Sequence, residues 1–274
     1  MKIKYLGTAA AEGVPAMFCK CEICTRARLL GGRNYRSRSQ ALVNDDLLID
    51  FPADAYMHEI KYGIDYSDIR NCLITHNHDD HFYAKDMHYV EPGLSYISDD
   101  YCFNVYGSKE IKNVLKKSVK ECKGKLACNE VKPFEPFKVL NYTVTALKAT
   151  HGTKYPFIYI IEQDGKRLLY AHDTDIFPKE TWDYLIKNKI CFNMISLDCT
   201  EGNRDKMDYC GHMFFGSNKI VRDKMKENGL IDEKTIMVLN HFSHNGKKSN
   251  YTDFAPVAEK EGFIVSYDGM EIEF

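Results

Sequence analysis

The chain has 274 residues, 44% of them apolar, and a formal net charge of −2 at pH 7. Such a chain can build a sizeable core, and no Pro- or Ser-rich linker divides it, so we expect a single domain over 1–274. The charge excludes the strongly basic character of many nucleic-acid-binding proteins. No apolar run reaches the roughly 18 residues that span a membrane.

The N-terminal region combines a predicted strand with three closely spaced cysteines. The chain enters this strand directly, without the apolar core of a signal peptide. Cys19, Cys21 and Cys24 follow with C-x-C-x-x-C spacing, here called the zinc hook (19–24), and a short helix comes next. Thiolates so spaced suit a structural Zn²⁺ with a fourth ligand from elsewhere, for which we choose His244. Three reduced cysteines without a metal are the alternative.

The remaining cysteines indicate a reducing compartment. Ten cysteines are too few for a disulfide scaffold in a chain of this length. Cys72, Cys102 and Cys191 lie within or beside apolar runs, so we expect buried thiols. Because free thiols persist in a reducing compartment, we expect a cytoplasmic location.

A run of arginines follows the hook. Between positions 20 and 38 there is one acidic residue, Glu22, and there are five arginines, namely Arg26, Arg28, Arg33, Arg36 and Arg38. Charge runs are usually solvated surface, and which of these arginines contacts a substrate phosphate stays open.

Predicted strands and helices then alternate along the chain. A hairpin over 41–51, with its turn at 45–46, precedes a helical segment at 53–61. A helix over 108–121 has Ser108 as its N-cap. A second hairpin joins 157–161 to 167–171 through Asp164-Gly165. Helices at 178–187, 217–228 and 252–261 alternate with further strands, which predicts a layered α/β sandwich.

The segment 75–81, THNHDDH, follows the apolar run 72–74 and packs four metal-binding side chains into six residues. A strand end holds the backbone rigid, while a tight loop lets side chains converge. His76 and His78 can therefore share one ion, while Asp80 and His81 point toward a second. The alternative is a histidine-rich surface segment that arose by chance.

Three later predicted strands also end in metal-binding residues. The strand at 142–150 runs into His151, the strand at 167–171 into His172 and Asp173, and the strand at 235–240 into His241. The predicted ligand set is His76, His78, Asp80, His81, His151, Asp173 and His241. These five imidazoles and two carboxylates suit two Zn²⁺ or Mn²⁺ ions, with Asp173 able to bridge them. Two ions about 3.5 to 4 Å apart can hold a hydroxide and clamp both oxygens of a displacement at phosphorus.

These residues resemble the metallo-β-lactamase superfamily of hydrolases, whose signature is an H-x-H-x-D-H loop, a distant His, a bridging Asp and a final His. The resemblance covers nearly the whole chain and implies a four-layer αββα sandwich. It implies that one metal is bound by His76, His78 and His151, the other by Asp80, His81 and His241, and both by Asp173. It also implies that Asp50, at a strand end, braces the ligand loop through hydrogen bonds.

Four segments are similar to one family within that superfamily, the phosphoribosyl 1,2-cyclic phosphate phosphodiesterases of the carbon-phosphorus lyase pathway. They are 7–24, 173–174, 241–244 and 268–272. That family opens a five-membered cyclic phosphate and carries a structural zinc besides two catalytic metals. The resemblance implies that His212 faces the substrate phosphate, where it could stabilise the transition state or protonate the leaving alkoxide. A surface or N-cap histidine is the alternative.

We therefore expect a dinuclear phosphodiesterase that hydrolyses phosphoribosyl 1,2-cyclic phosphate or a 2′,3′-cyclic nucleotide. A metal-bridging hydroxide oriented by Asp80 would attack, and His212 would supply the proton. One alternative is a tRNA 3′-processing endonuclease, although that family usually has a long arm where only 21 residues separate His151 from Asp173. The other is a non-catalytic zinc-binding protein, like the similar one in pyrroloquinoline quinone synthesis. We expect a small-molecule substrate and no membrane or large nucleic-acid partner, and a homodimer stays open.

Overall fold

A computed structural model describes residues 1–204 and 211–274, and its first β-sheet uses mainly the N-terminal half of the chain. Its strands are β1 (Lys2–Gly7), β2 (Gln40–Val43), β3 (Leu47–Ile49), β4 (Asn71–Leu73), β5 (Phe103–Gly107), β6 (Leu126–Glu130) and β14 (Glu271–Glu273). Their order across the sheet is β14-β1-β2-β3-β4-β5-β6. Neighbours are antiparallel as far as β3, and parallel from β3 to β6.

The second sheet repeats this plan with the following part of the chain. Its strands are β7 (Pro136–Val139), β8 (Tyr142–Lys148), β9 (Phe157–Gln163), β10 (Lys166–Ala171), β11 (Met194–Asp198), β12 (Ile236–Asn240) and β13 (Ile264–Val265). They pair in the order β13-β12-β11-β10-β9-β8-β7. Strands β7 to β10 are antiparallel, and β10 to β13 are parallel. In each sheet the parallel strands therefore end at one common edge, where loops can collect ligands.

Six α-helices accompany the sheets in the described part of the chain. They are α1 (Glu22–Leu30), α2 (Ala55–Tyr62), α3 (Lys109–Glu121), α4 (Lys179–Lys187), α5 (Phe215–Glu227) and α6 (Tyr251–Glu259). Two short 3₁₀ turns lie at Gly32–Asn34 and Asp86–Val90. Within these described ranges, no helix has the length and apolar character needed to cross a lipid bilayer.

Three hydrophobic clusters define the layers. Between the sheets, Tyr5 of the first packs with Tyr159 of the second in one buried cluster. Helices α2 and α3 cover the outer face of the first sheet, where α3 buries Ile111. Helices α4, α5 and α6 cover the outer face of the second, with Trp182 and Phe254 in the cluster there. This helix–sheet–sheet–helix stack confirms the predicted four-layer αββα sandwich.

The local predictions mostly agree with the structure. Both predicted hairpins form, and Asp164 and Gly165 adopt the positive φ angles of 51° and 76° that suit a tight hairpin turn. Ser108 is the N-cap residue of α3, as predicted. Its backbone is extended there, but its side chain makes no capping hydrogen bond. The short helix α1 begins inside the hook. The expected single domain stays a prediction.

The expectation of buried thiols holds for only some of the cysteines. Cys72 lies on β4 and is buried, whereas Cys102 is only partly buried. Cys191 is exposed, so its predicted burial is wrong. It lies in the connection between α4 and β11, where an apolar sequence neighbourhood does not place the side chain in the core.

Candidate metal centre

The seven predicted ligands converge where strands of both sheets end. The loop after β4 carries His76, His78, Asp80 and His81, and the loop after β8 carries His151. Asp173 follows β10, and His241 follows β12 directly. Because these ends meet at one edge of the sandwich, residues far apart in sequence come within contact distance.

Asp50, which follows β3, holds the loop after β4 in place. It is fully buried, and its Oδ1 accepts hydrogen bonds from the amide and the hydroxyl of Thr75, at 2.8 and 2.9 Å. Its Oδ2 accepts the Nδ1 hydrogen of His81 at 2.6 Å. These contacts have the geometry of the bracing role that the resemblance implies for Asp50.

A first group of ligand atoms surrounds a single point. His78 Nδ1 lies 3.0 Å from His76 Nε2 and 3.2 Å from His151 Nε2. Asp173 Oδ2 lies 3.1 Å from His76 Nε2. Ligands bound 2.0 to 2.1 Å from a tetrahedral Zn²⁺ are about 3.3 Å apart, so these four side chains fit one ion.

A second group lies beside the first and shares Asp173 with it. His81 Nε2 lies 3.0 Å from His241 Nε2, 3.4 Å from Asp80 Oδ2 and 2.8 Å from Asp173 Oδ2. These four side chains fit a second ion. Because Asp173 Oδ2 is close to imidazoles of both groups, this one carboxylate is placed to bridge two ions.

Hydrogen bonds on the far side of the rings set their orientation. His151 Nδ1 donates to the carbonyl of Gly211 at 2.9 Å, just as His81 Nδ1 donates to Asp50. His241 Nδ1 lies 2.8 Å from the hydroxyl of Thr200. The Nε2 atoms of these rings are therefore left to face the centre, as is usual for metal-ligating histidines.

Electrostatics favour a cation here. Burial lowers the pKa of His76 to about 3 and also lowers the pKa values of His78 and His241, so these imidazoles keep neutral, unprotonated nitrogens for coordination. Burial opposes a charge on His81 as well, but Asp173, Asp50 and Asp80 outweigh it and raise the pKa of His81. The carboxylates thus require positive charge at the centre, which divalent ions supply.

Three residues of the centre have an unusual backbone conformation. Asp50, Asp173 and His241 have φ angles of 65°, 50° and 63°, in the left-handed region. Each such residue costs about 1 to 3 kcal/mol unless its surroundings enforce it. Each one follows a parallel strand closely, where the chain turns sharply and aims a side chain at the ligand edge.

Asp198, the last residue of β11, also belongs to the candidate site, although it was not among the residues predicted from the sequence. It is fully buried, and it accepts hydrogen bonds from the amides of Asp173, Thr200 and Met213 at 2.9 to 3.0 Å. It also lies in a further cluster of metal-binding groups with Asp173, His212 and His241. Its position as a carboxylate at the end of a buried strand, like that of Asp50, is the signal that could have revealed it.

His212 lies against the ligand cluster. Its Nδ1 is 3.2 Å from both Asp198 Oδ2 and Asp173 Oδ1, and its ring centre is 4.9 Å from that of His151. Burial would lower the pKa of His212, but Asp198 and Asp173 raise it to about 11. The N-cap of α5 is Phe214, so the N-cap alternative for His212 is wrong. The side chain is only 16% exposed, which also argues against a surface residue.

The cysteine hook and His244 form a second, separate cluster. His244 Nδ1 lies 3.4 Å from Cys19 Sγ and 3.6 Å from Cys21 Sγ, and Cys24 completes the group. Backbone amides of Cys21, Cys24 and Ala16 donate to the three sulfur atoms at 3.2 to 3.4 Å. Burial raises the pKa of the Cys24 thiol to about 12, so a thiolate there calls for a nearby cation. Three sulfurs and one imidazole form a closed set typical of structural Zn²⁺.

The hook is tied to the metal centre through the segment after β12. His241 and His244 lie three residues apart in sequence, but His241 belongs to the His/Asp cluster and His244 to the hook cluster. Between them, the amide of Phe242 donates to Thr8 at 2.9 Å, and the amide of Ala10 donates to the carbonyl of Phe242 at 3.0 Å. A metal bound in the hook would therefore fix the segment that presents His241.

The five arginines after the hook, for which the sequence leaves a phosphate contact open, contact the protein itself. Arg26 pairs with Asp253, Arg38 with Asp54, and Arg28 donates to the carbonyls of residues 16 and 19. Arg33 stacks on the ring of Tyr267 at 4.1 Å. Arg36 is buried, and its guanidinium lies 4.2 Å from the Phe242 ring centre. These contacts give the run a structural role, and no observation favours a phosphate contact for any of the five arginines.

The histidines outside the two clusters have other partners. His58 is buried, with Nδ1 2.7 Å from Gln40 Oε1 and Nε2 2.8 Å from Ser37 Oγ. His172 lies 2.7 Å from Ser196 Oγ, and His88 pairs with Glu91 at 2.8 Å. Neither sequence nor geometry indicates a ligand role for these three residues.

Comparison with family models gives the identity of the fold. Residues 50–223 match the model described as the beta-lactamase superfamily domain, and this range is more than half of the chain. The chain belongs to the metallo-β-lactamase superfamily. The matched range begins at Asp50 and contains six of the seven predicted ligands, all except His241.

Two curated relatives match parts of this superfamily member. An octanoyltransferase of Porphyromonas gingivalis is 29% identical over 164 residues, which are 56% of this chain and 31% of the relative. Coenzyme PQQ synthesis protein B of Methylorubrum extorquens is 26% identical over 206 residues, 62% of this chain and 64% of the relative. The chain thus spans less than two thirds of either relative.

Solved structures of the superfamily match over the full length of the chain. A new diphosphatase from the PhnP family is 20% identical with a TM-score of 0.75, covering 100% of this chain and 98% of that chain. Zn²⁺-bound PqqB from Methylobacterium extorquens is 18% identical with a TM-score of 0.77, at 100% of both chains. The short form of human tRNase Z is 15% identical with a TM-score of 0.69, at 100% and 99%. At these sequence identities, the similarity shows a shared fold and nothing about activity.

Proposed function

We propose that this chain is a dinuclear metal-dependent phosphodiesterase that hydrolyses a small cyclic phosphate. The observation that carries the proposal is the double ligand cluster, in which Asp173 Oδ2 lies 3.1 Å from His76 Nε2 and 2.8 Å from His81 Nε2. A carboxylate shared between two complete ligand groups is the arrangement that two-metal hydrolysis needs.

The proposed cofactors are two divalent ions, Mn²⁺ or Zn²⁺, at the His/Asp centre and one structural Zn²⁺ in the hook. When bound, the two catalytic ions would lower the pKa of a water and neutralise charge on the phosphate oxygens. His76, His78 and His151 would hold one, His81, His241 and Asp80 the other. Asp173 would fix the separation between them.

The side chains around the ligands would control protons and orientation. Asp80 can accept a hydrogen from the attacking water and so orient it toward phosphorus. Asp198 and Asp173 hold His212 by its Nδ1 at 3.2 Å, and we assign its Nε2 to the substrate side. His212 would there protonate the departing sugar oxygen, a step that typically contributes about 10²- to 10⁴-fold to the rate.

A small substrate is supported by the sequence segments shared with the cyclic phosphate phosphodiesterases and by the fold shared with a PhnP-family diphosphatase. The near-neutral chain offers no general attraction to a long polyanion. Between His151 and Asp173 the chain forms the β9–β10 hairpin, with a turn at 164–165, in place of an extended arm. We therefore favour phosphoribosyl 1,2-cyclic phosphate or a 2′,3′-cyclic nucleotide over tRNA, and we place the protein in the cytoplasm because its thiols suit a reducing compartment.

The proposal is tested by a substrate panel with the purified, metal-loaded chain. The panel contains phosphoribosyl 1,2-cyclic phosphate, a 2′,3′-cyclic nucleotide, a nucleoside diphosphate and a precursor tRNA, each with Mn²⁺ or Zn²⁺. We expect the highest kcat/KM for a cyclic phosphate, and none for the Asp173→Ala variant. A preference for the diphosphate or the tRNA would replace the proposed substrate class. Binding of metals without turnover of any phosphoester would favour a non-catalytic zinc protein.

A further inference from the structure

A cavity of about 690 Å³ lies on the helix-covered face of the first sheet. Its lining includes Phe51 just after β3, Phe103 of β5, Tyr56 and Glu59 from α2, and residues of the segment 86–101. Among the described residues that line it, none is a ligand of the metal centre or the hook. Its volume falls within the range of roughly 300 to 1,000 Å³ that is typical of small-molecule sites.

Aromatic rings dominate the lining. The ring of Phe51 lies 5.5 Å from that of Tyr66 and 5.9 Å from that of Phe103. The hydroxyls of Tyr66 and Tyr101 donate to backbone carbonyls at 3.1 and 2.8 Å, so these tyrosines are anchored at their polar ends. Tyr56 lines the cavity from α2 and is 68% exposed, which places an aromatic side chain where the cavity meets solvent.

The charged groups of the lining are carboxylates. Glu59 and Asp86 line the cavity, and no Lys, Arg or His is found among the lining residues that the structure describes. Burial raises the pKa of Asp86, since water is partly excluded from its carboxyl group. The buried Oγ of Ser95 has no hydrogen-bond partner among the described residues. A buried polar atom of this kind is costly unless a ligand or water satisfies it.

Together these groups select a particular chemistry. The faces of aromatic rings attract cations, and a carboxylate strengthens that attraction at short range. An anionic ligand would meet two negative charges and no compensating base in the lining. A neutral hydrocarbon would fill the space but leave the Ser95 hydroxyl unsatisfied.

We propose that this cavity is a binding site for a small organic cation, a primary ammonium attached to an aromatic group. The aromatic group would pack against Phe51 and Phe103, and the ammonium would lie between Glu59 and Asp86. Ser95 Oγ would accept one of its hydrogens. None of the lining residues belongs to the predicted ligand sets, so this proposal does not depend on the proposed function.

The test compares two probes of similar size and opposite charge, 2-phenylethylammonium and 3-phenylpropionate. Binding to the full, metal-loaded chain is measured by calorimetry and by ligand-observed NMR. We expect saturable binding of the ammonium at one site per chain and no binding of the carboxylate. Absence of saturable ammonium binding, or equal binding of the two probes, would overturn the proposal.

Variants then locate the site. Asp86→Asn and Glu59→Gln should each weaken ammonium binding about tenfold because each removes one carboxylate. Ile97→Trp should block the site by filling it. Asp99→Asn is the matched control, since this exposed acid lies on the same segment outside the lining. Circular dichroism checks that each variant is folded. If one of the two carboxylate variants does not fold, the other still tests the proposal. Unchanged affinity in Asp86→Asn and Glu59→Gln, or an equal loss in Asp99→Asn, contradicts the assignment.

Discussion

Replacing His212 by alanine should slow hydrolysis of a cyclic sugar phosphate by about 10²- to 10⁴-fold, because the leaving alkoxide then lacks its proton donor. This range corresponds to about 2.7 to 5.4 kcal/mol of transition-state free energy. The structure supports a large effect. Contacts of 3.2 Å to Asp198 and Asp173 fix the His212 ring, which lies 4.9 Å from the ring of His151, a predicted ligand.

The assay compares two leaving groups in the same variant. A cyclic phosphate releases a sugar alkoxide, which needs a proton, whereas bis(p-nitrophenyl) phosphate releases nitrophenolate, which does not. His212→Ala should therefore reduce kcat for the first substrate strongly and for the second only slightly. Metal content is measured in every preparation, because His212 contacts Asp173 and its removal could disturb the ions. His88→Ala is the control, since His88 pairs with Glu91 away from the centre and should behave as the wild type.

Two results would refute the role of His212 as the proton donor. If both substrates slow equally with the metals retained, His212 stabilises charge on the phosphate and is not the acid. If neither substrate slows, His212 has no part in the reaction, and the proposed proton donor must be sought elsewhere.

Three further predictions concern the bridge, the hook and a buried histidine. Asp173→Ala should abolish turnover and deplete the catalytic ions while hook zinc remains, as shown by elemental analysis; full activity would rule out the shared bridge. Cys21→Ser should lower the melting temperature by about 10 °C or more and change the low-temperature rate much less, since structural zinc contributes to folding; an unchanged melting temperature contradicts the hook site. Burial lowers the pKa of His58 to about 4 from 6.5, so its neutral form contributes stability above about pH 6.5 that is lost as pH falls toward 4, about 3 kcal/mol in all. Denaturant unfolding of His58→Gln should lack that loss, whereas parallel pH curves for variant and wild type would disprove it.

The convergence of the seven predicted ligands could be foreseen because each one closely follows an apolar run that forms a strand. His76, His151 and Asp173 come after β4, β8 and β10, and the parallel ends of β4 and β10 lie at one edge of the sandwich. A short local segment thus predicts both the strand and the metal-binding side chain that follows it. The layered fold was predictable for the same reason, since strands and helices alternate along the chain.

The residues that the sequence did not reveal depend on contacts between distant segments. Asp198 meets His212 and Asp173 only because β11 pairs with β10, which brings the three side chains together. Arg26 finds its partner Asp253 at a separation of 227 positions. Strand β14 (Glu271–Glu273) is a short segment with a glutamate at each end, which is not a typical strand sequence. It forms because it pairs with β1, so its local sequence does not predict it.

In the proposed centre, seven side chains hold two ions that share Asp173. The most direct measurement is an anomalous-scattering crystal structure of the chain grown with Zn²⁺ or Mn²⁺, together with elemental analysis of the same preparation. We predict two ions about 3.5 to 4 Å apart with Asp173 between them, and a third, zinc ion within the cluster of Cys19, Cys21, Cys24 and His244. A single ion at the His/Asp centre, or two ions with Asp173 bound to only one, would contradict the proposed dinuclear centre.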